Sequence, residues 1–339
     1  MTSHTVSAPV SAPPTAPRTS GFRAAVRAVA ILACLPYVTL KIAWIAGSRI
    51  GIPDGSSLLD HPTTMAVANG ITVLMDAAVV ALALLLTQPW GMRVRAWLLA
   101  LPVWVATGLL APIIAGFPLQ LLVRAFGGST ISSGERSAPF LDEWVFGMVY
   151  GGFIVQGLAL GVLFVGYARR RWGHLGQGAV RDLPANLPTA PAQRVAATAA
   201  ALLTLVPATL HALWAGGSTA GLSRFGIDQR TSDSYALEWM HAGFAAATAV
   251  GVLMIAFRRG GSVPLKVPLA LAWVGSGALA CWGGWLSLAS LTTVDDLTGQ
   301  PSALLQLTYA VQMIVGMLVV TIGAYFFAER SAAAARREA

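Results

Sequence analysis

Eight runs of twenty or more mainly apolar residues, near 25–47, 65–87, 97–118, 146–168, 196–217, 236–257, 267–290 and 305–328, constrain this chain more than anything else in it. About 20 apolar residues are needed to carry a helix across the hydrocarbon core of a bilayer. Inside that core only helices and closed barrels satisfy their backbone groups. Composition agrees, with 56% hydrophobic residues and 11% charged ones, where soluble domains carry about 25% charge. The sequence therefore predicts an all-α, polytopic membrane protein with eight transmembrane helices.

The charges predict its orientation. Sixteen of the 22 Lys and Arg residues fall on the N-terminus, the second, fourth and sixth connections and the C-terminus, led by Arg169, Arg170 and Arg171. Ten of the 14 acidic residues, among them Asp60, Asp142, Glu143, Asp233, Asp295 and Asp296, fall on the other side. The positive-inside rule then places both termini in the cytoplasm and the chain in the cytoplasmic (plasma) membrane. The net charge of +8 reads as a collar for anionic lipid headgroups, with no nucleic-acid partner. Two cysteines, Cys34 and Cys281, read as unpaired apolar fillers.

The chain also repeats itself. Leu40-Lys41-Ile42-Ala43-Trp44, Gly47 and Arg49-Ile50-Gly51-Ile52-Pro53-Asp54 are echoed by Leu210-His211-Ala212-Leu213-Trp214, Gly217 and Arg224-Phe225-Gly226-Ile227-Asp228. Trp104-Val105-Ala106-Thr107-Gly108 is echoed by Trp273-Val274-Gly275-Ser276-Gly277. This implies two parallel four-helix repeats, related by an axis along the membrane normal. The expected organisation is a disordered cytoplasmic N-terminus (1–23), a first repeat (24–171), a cytoplasmic linker (172–194), a second repeat (195–329) and a tail (330–339). Gly151, Gly152, Gly157 and Gly161 in the fourth span are expected to form a packing face.

Candidate functional residues lie where polarity enters the spans. Pro36 and Pro207 predict matched helix kinks, with Thr39 and Thr209 placed to repair the opened ladder. Lys41 and Asp76 are the charges at membrane depth. Insertion of an unpaired carboxylate at mid-span costs about 2.5–3.5 kcal/mol, so an ion pair between the two is expected. Aligning Gly70 with Gly243 sets Ala249 against Asp76 and His211 against Lys41, which suggests that carboxylate and cation were lost together in the second copy. The loop residues Trp44, Arg49 and Asp54, with Trp214, Arg224 and Asp228, read either as turn and interface chemistry or as lids over a pocket. Glu238 and His241 share one helix face at i and i+3, and with His211 they offer three ligands for a divalent metal, or two histidines for a haem iron. No cofactor is otherwise predicted.

Leu210, His211, Trp214, Gly216 and Gly217 resemble a motif of a small four-helix bacterial membrane-domain family of unknown function, and the first copy carries it with Lys41 in the His position. The resemblance implies a tandem fusion and brings no activity. There is no phosphate-cradling glycine loop, metalloprotease motif, Cys-x-x-Cys or nucleophile elbow. Three classes stay open. One is a non-enzymatic accessory, sensor or partner-binding subunit, with a membrane-protein partner or a second copy of itself. Another is a permease using Thr39, Lys41, Asp76, Thr209 and His211. The third is a membrane metallo- or haem oxidoreductase using His211 and His241.

Overall fold

The protein is described here from a computed structural model, covering residues 18–129, 141–184, 188–228, 230–291 and 301–338. Ten α-helices carry the described chain: α1 (Arg18–Leu32), α2 (Leu35–Ile45), α3 (Pro62–Thr87), α4 (Ala96–Ala125), α5 (Glu143–Trp172), α6 (Ala190–Ala215), α7 (Arg224–Asp228), α8 (Ser232–Phe257), α9 (Lys266–Ser290) and α10 (Ala303–Glu338). Eight stretches are long and apolar enough to cross a membrane, with α1 and α2 together forming the first. This is a multi-pass membrane protein. An even number of crossings returns the chain to the face it started from. We call that the basic face, and the opposite one the acidic face.

The helices run past several expected ends. α1 begins at Arg18, inside the stretch expected to be disordered, and residues 1–17 of that stretch lie outside the described residues. α10 continues to Glu338 through the expected tail, because Ser-Ala-Ala-Ala-Ala-Arg-Arg-Glu is built almost wholly from strong helix formers. α4 continues to Ala125 with Pro102, Pro112 and Pro118 inside it. Much of the remaining third-to-fourth connection, and Asp295 and Asp296, lie outside the described residues. The matched prolines act differently: Pro36 follows a break at Ala33–Cys34, whereas Pro207 sits inside an unbroken α6.

α1 to α5 pack on one another, as do α6 and α8 to α10, and the two groups meet where α4 lies against α8 and α9. Lipid offers no hydrophobic drive for helix pairing, so close approach rests on small residues and polar contacts. That is what the seam contains. The Cα of Gly108 on α4 faces the carbonyl of Gly277 on α9; a Cβ at Gly108 would strike that carbonyl, and one at Gly277 would sit tightly at 3.2 Å from the Gly108 Cα. Trp104 Nε1 donates to Ser276 Oγ at 3.1 Å, and Trp273 Nε1 donates to Thr107 Oγ1 at 3.4 Å. Each Trp thus reaches the hydroxyl that follows its counterpart by three residues. A third indole, Trp282 Nε1, donates to the Leu109 carbonyl at 3.2 Å. On α5 only part of the expected glycine face packs: Gly152 meets Tyr37 and Gly157 meets Ile114 and Leu110, whereas Gly151 and Gly161 meet nothing.

The connection after α5 is more than a spacer. Val180 N–H donates to Val263 O and Leu265 N–H to Gly178 O, each at 3.0 Å, which ties it to the turn between α8 and α9. Leu175, Val180 and Leu183 are buried there.

The seam makes a clear prediction. Gly108→Leu should destabilise the protein by about 1–3 kcal/mol or more through overpacking. Gly70→Leu, on α3 with no neighbour within 4 Å, should stay within about 0.5 kcal/mol. Thermal unfolding in detergent, followed by size-exclusion chromatography, checks both; equal stabilities would show that the seam is not tightly closed.

Candidate functional site

Two turns at the acidic face organise what lies beneath them. Trp44 Nε1 donates to the Ile50 carbonyl at 2.8 Å, and Trp214 Nε1 donates to the Ala220 carbonyl at 2.9 Å. Gly47 (φ 91°) and Gly217 (φ 98°) end their helices in the left-handed region that favours glycine. Gly51 (φ 76°) and Gly221 (φ 75°) follow at the same spacing. The carbonyl of Gly51 accepts from Asp142 N–H just before α5, and that of Gly221 accepts from Ser302 Oγ just before α10. In turn geometry Gly51 matches Gly221, whereas the Gly226 set against it by sequence lies in a helix. Arg224–Asp228 instead winds into the short helix α7.

The loop residues divide by burial. Trp44 and Trp214 are buried in the turns, whereas Arg49, Asp54, Arg224 and Asp228 are exposed. No ion pair joins Arg49 to Asp54 or Arg224 to Asp228 among the described residues. Arg230, which the sequence reading passed over, closes the second turn by donating to the Trp214 and Ser218 carbonyls and lying over the Tyr235 ring.

Beneath each turn lies a buried polar cluster. In the first, Lys41 Nζ on α2 meets Asp76 Oδ2 on α3 at 2.9 Å, and both side chains are less than a tenth exposed. The ammonium also lies 5.0 Å from the Tyr37 ring centroid and 5.5 Å from that of Phe153, within cation–π range. Tyr37 OH donates to Gln156 Oε1 on α5 at 2.6 Å. Helices α2, α3 and α5 are thus tied together around one charge pair.

In the second, His211 Nδ1 on α6 lies 2.5 Å from Glu238 Oε2 on α8. His211 Nε2 lies 2.8 Å from the Gln312 amide nitrogen on α10. The His241 ring stacks on His211 at 5.1 Å between centroids, with Trp214 edge-on to His211 at 5.3 Å and Trp282 6.3 Å from His241. The inference that the second copy lost its carboxylate is corrected here. Glu238 supplies one from 11 residues before Ala249, about three helical turns away and hence on the same face. α3 and α8 both start at the acidic face, at Pro62 and Ser232, so Glu238 lies nearer that face than Asp76 does.

Thr39 and Thr209 join neither cluster. Each stands two residues from Lys41 or His211, about 200° around the helix, and faces outward. Tyr37, Gln156, Gln312 and Trp282 were missed by the sequence reading. The two glutamines were findable, since an amide inside an apolar run needs a partner as surely as a charge does.

The residues do not fit a metal or haem in this arrangement. Both nitrogens of His211 are already engaged by protein partners. The two rings are stacked with 24° between their planes, so their lone pairs do not converge on one point. An apolar hollow of about 470 Å³ between α8 and α9, lined by residues such as Phe244, Ala247 and Leu271, contains none of the clustered polar groups.

No known protein family, curated protein or solved structure matches this chain.

Breaking the first pair tests its weight. Asp76→Asn should cost about 3–5 kcal/mol by leaving the Lys41 ammonium buried without a counter-charge. Lys41→Met combined with Asp76→Leu should recover most of that loss. Unfolding of purified protein in graded denaturing detergent measures both; an Asp76→Asn protein as stable as the parent would mean Lys41 escapes to water.

Proposed function

We propose that this chain is a non-enzymatic membrane subunit, acting as a sensor or partner-binding accessory. In this reading it is built as two parallel four-helix repeats in the cytoplasmic membrane, with both termini in the cytoplasm. The orientation rests on the split between the Arg-rich and acid-rich faces. The repeat rests on the Trp–Gly turns of matching geometry and on the reciprocal Trp104–Ser276 and Trp273–Thr107 contacts. A fusion of two copies of a four-helix domain, the family likeness carried by Leu210, His211 and Trp214, accounts for both.

The observation that carries the functional reading is the closed seam. In transporters built from parallel repeats the substrate path runs between the repeats, near the bilayer midplane. Here that position is filled by the Gly108–Gly277 backbone contact and three indole hydrogen bonds. Each polar cluster also closes within its own half, with Lys41 and His211 each held by side chains of neighbouring helices. A set of buried polar groups that tie helices together, with no reacting pair aimed at open space, suits signalling or assembly better than catalysis. The permease reading keeps one support, the mid-span Lys41–Asp76 pair, since ionisable groups at that depth often mark ion pathways.

Liposome flux separates the two. Purified protein reconstituted with an internal pH dye should show, under an imposed potential, proton leakage indistinguishable from protein-free vesicles. A flux above that baseline, abolished by Asp76→Asn, would replace the accessory reading with the permease.

A further inference from the structure

We propose that His211, Glu238 and Gln312 form a proton-binding switch opening toward the acidic face, whose state is passed to the α4–α9 seam through His241 and Trp282. The inference deepens the sensor reading by naming its ligand, and rests on that reading.

The hydrogen-bond geometry accommodates two proton states. With the Gln312 nitrogen 2.8 Å from His211 Nε2, that ring nitrogen accepts and the ring proton lies on Nδ1, 2.5 Å from Glu238 Oε2, which makes a neutral imidazole on a carboxylate. A further proton has two places to go: Glu238, or Nε2. On Nε2 it turns the ring into a donor at both nitrogens, and Gln312 must then rotate its amide to present Oε1. That rotation has consequences, because Gln312 is buried and its Oε1 lies against the niche left by Gly283 on α9. Proton uptake therefore exchanges an oxygen for an NH₂ group at a contact with the seam helix.

A second route leads to the same helix. His241 stacks on His211 and stands beside Trp282, whose indole N–H holds the Leu109 carbonyl across the seam. Leu109 follows Gly108, and Gly108 also faces Cys281 and Gly277. Charge appearing on His211 is thus felt by a stacked ring that touches the indole joining the halves.

The surrounding groups are few. From α8 the titratable side chains facing His211 are Glu238 and His241, and from α10 Tyr309 lies within electrostatic reach of Glu238. From α9 and from α6 itself come the indoles Trp282 and Trp214. Arg230, in the connection before α8, is taken up by the Trp214 and Ser218 carbonyls and Tyr235. The Lys41–Asp76 cluster offers no such switch, since its cation is a Lys ammonium and histidine is the side chain suited to titrating near neutrality.

The test uses the full chain in lipid nanodiscs, labelled with ¹³C-histidine and 5-fluorotryptophan. His211 is assigned among the five histidines by His211→Gln, and Trp282 by Trp282→Phe. Across about pH 4 to 9, His211 should titrate, and its midpoint should move by about one pH unit or more in Glu238→Gln. The Trp282 fluorine signal should follow the His211 midpoint in the parent and lie flat in His211→Gln. A His211 that does not titrate, or whose midpoint ignores Glu238→Gln, overturns the switch. A Trp282 signal that stays flat in the parent while His211 titrates overturns the coupling, with no variant needed. Proton flux through liposomes would instead remove the non-transporting reading and leave this titration standing.

Discussion

The two helical groups are joined where the backbones of Gly108 and Gly277 come together. In lipid, apolar side chains gain nothing by leaving one hydrocarbon surface for another, so two bundles adhere only where they can come unusually close or exchange hydrogen bonds. Removing both Cβ atoms lets α4 and α9 approach until dispersion acts between main chains. The indoles of Trp104, Trp273 and Trp282 then find their acceptors across the same crossing. A side chain at Gly108 would overlap the Gly277 carbonyl beside those bonds.

The second constraint is that a charge or imidazole at membrane depth needs a partner, even though the Gln156 amide nitrogen goes without one among the described residues. The two halves meet it with different chemistry at comparable places. One half neutralises a carboxylate with a Lys ammonium braced by aromatic rings, a pair of fixed opposite charges. The other opposes a carboxylate to an imidazole, which is neutral or cationic by the choice of a single proton. The two groups thus differ in the chemistry of their buried pairs, while the turns above share the same indole-to-carbonyl closure.

The helical class and the eight spans were legible, because run length and the backbone's need for partners in lipid decide them almost alone. Lys41 and Asp76 were legible as partners because burying either alone is costly. What failed to show was the site's completion by distant sequence. Gln156 and Gln312 arrive from helices far along the chain, and nothing local says which buried donor each will meet. Glu238 was legible beside His211 only as a metal ligand, because setting Ala249 against Asp76 turned attention away from it as a charge partner. The loop register slipped for a similar reason: Arg-x-Gly-Ile matched by letters, whereas the hydrogen bond from Trp214 to Ala220 fixes the turn.

The Gly51 and Gly221 carbonyls act as latches. Each turn follows the first span of its group, yet its acceptor is filled by Asp142 N–H or Ser302 Oγ at the entry to the last span of that group. The first and last spans of each group are thereby fastened to each other at the acidic face, and cutting the chain before either latch would leave that carbonyl to water.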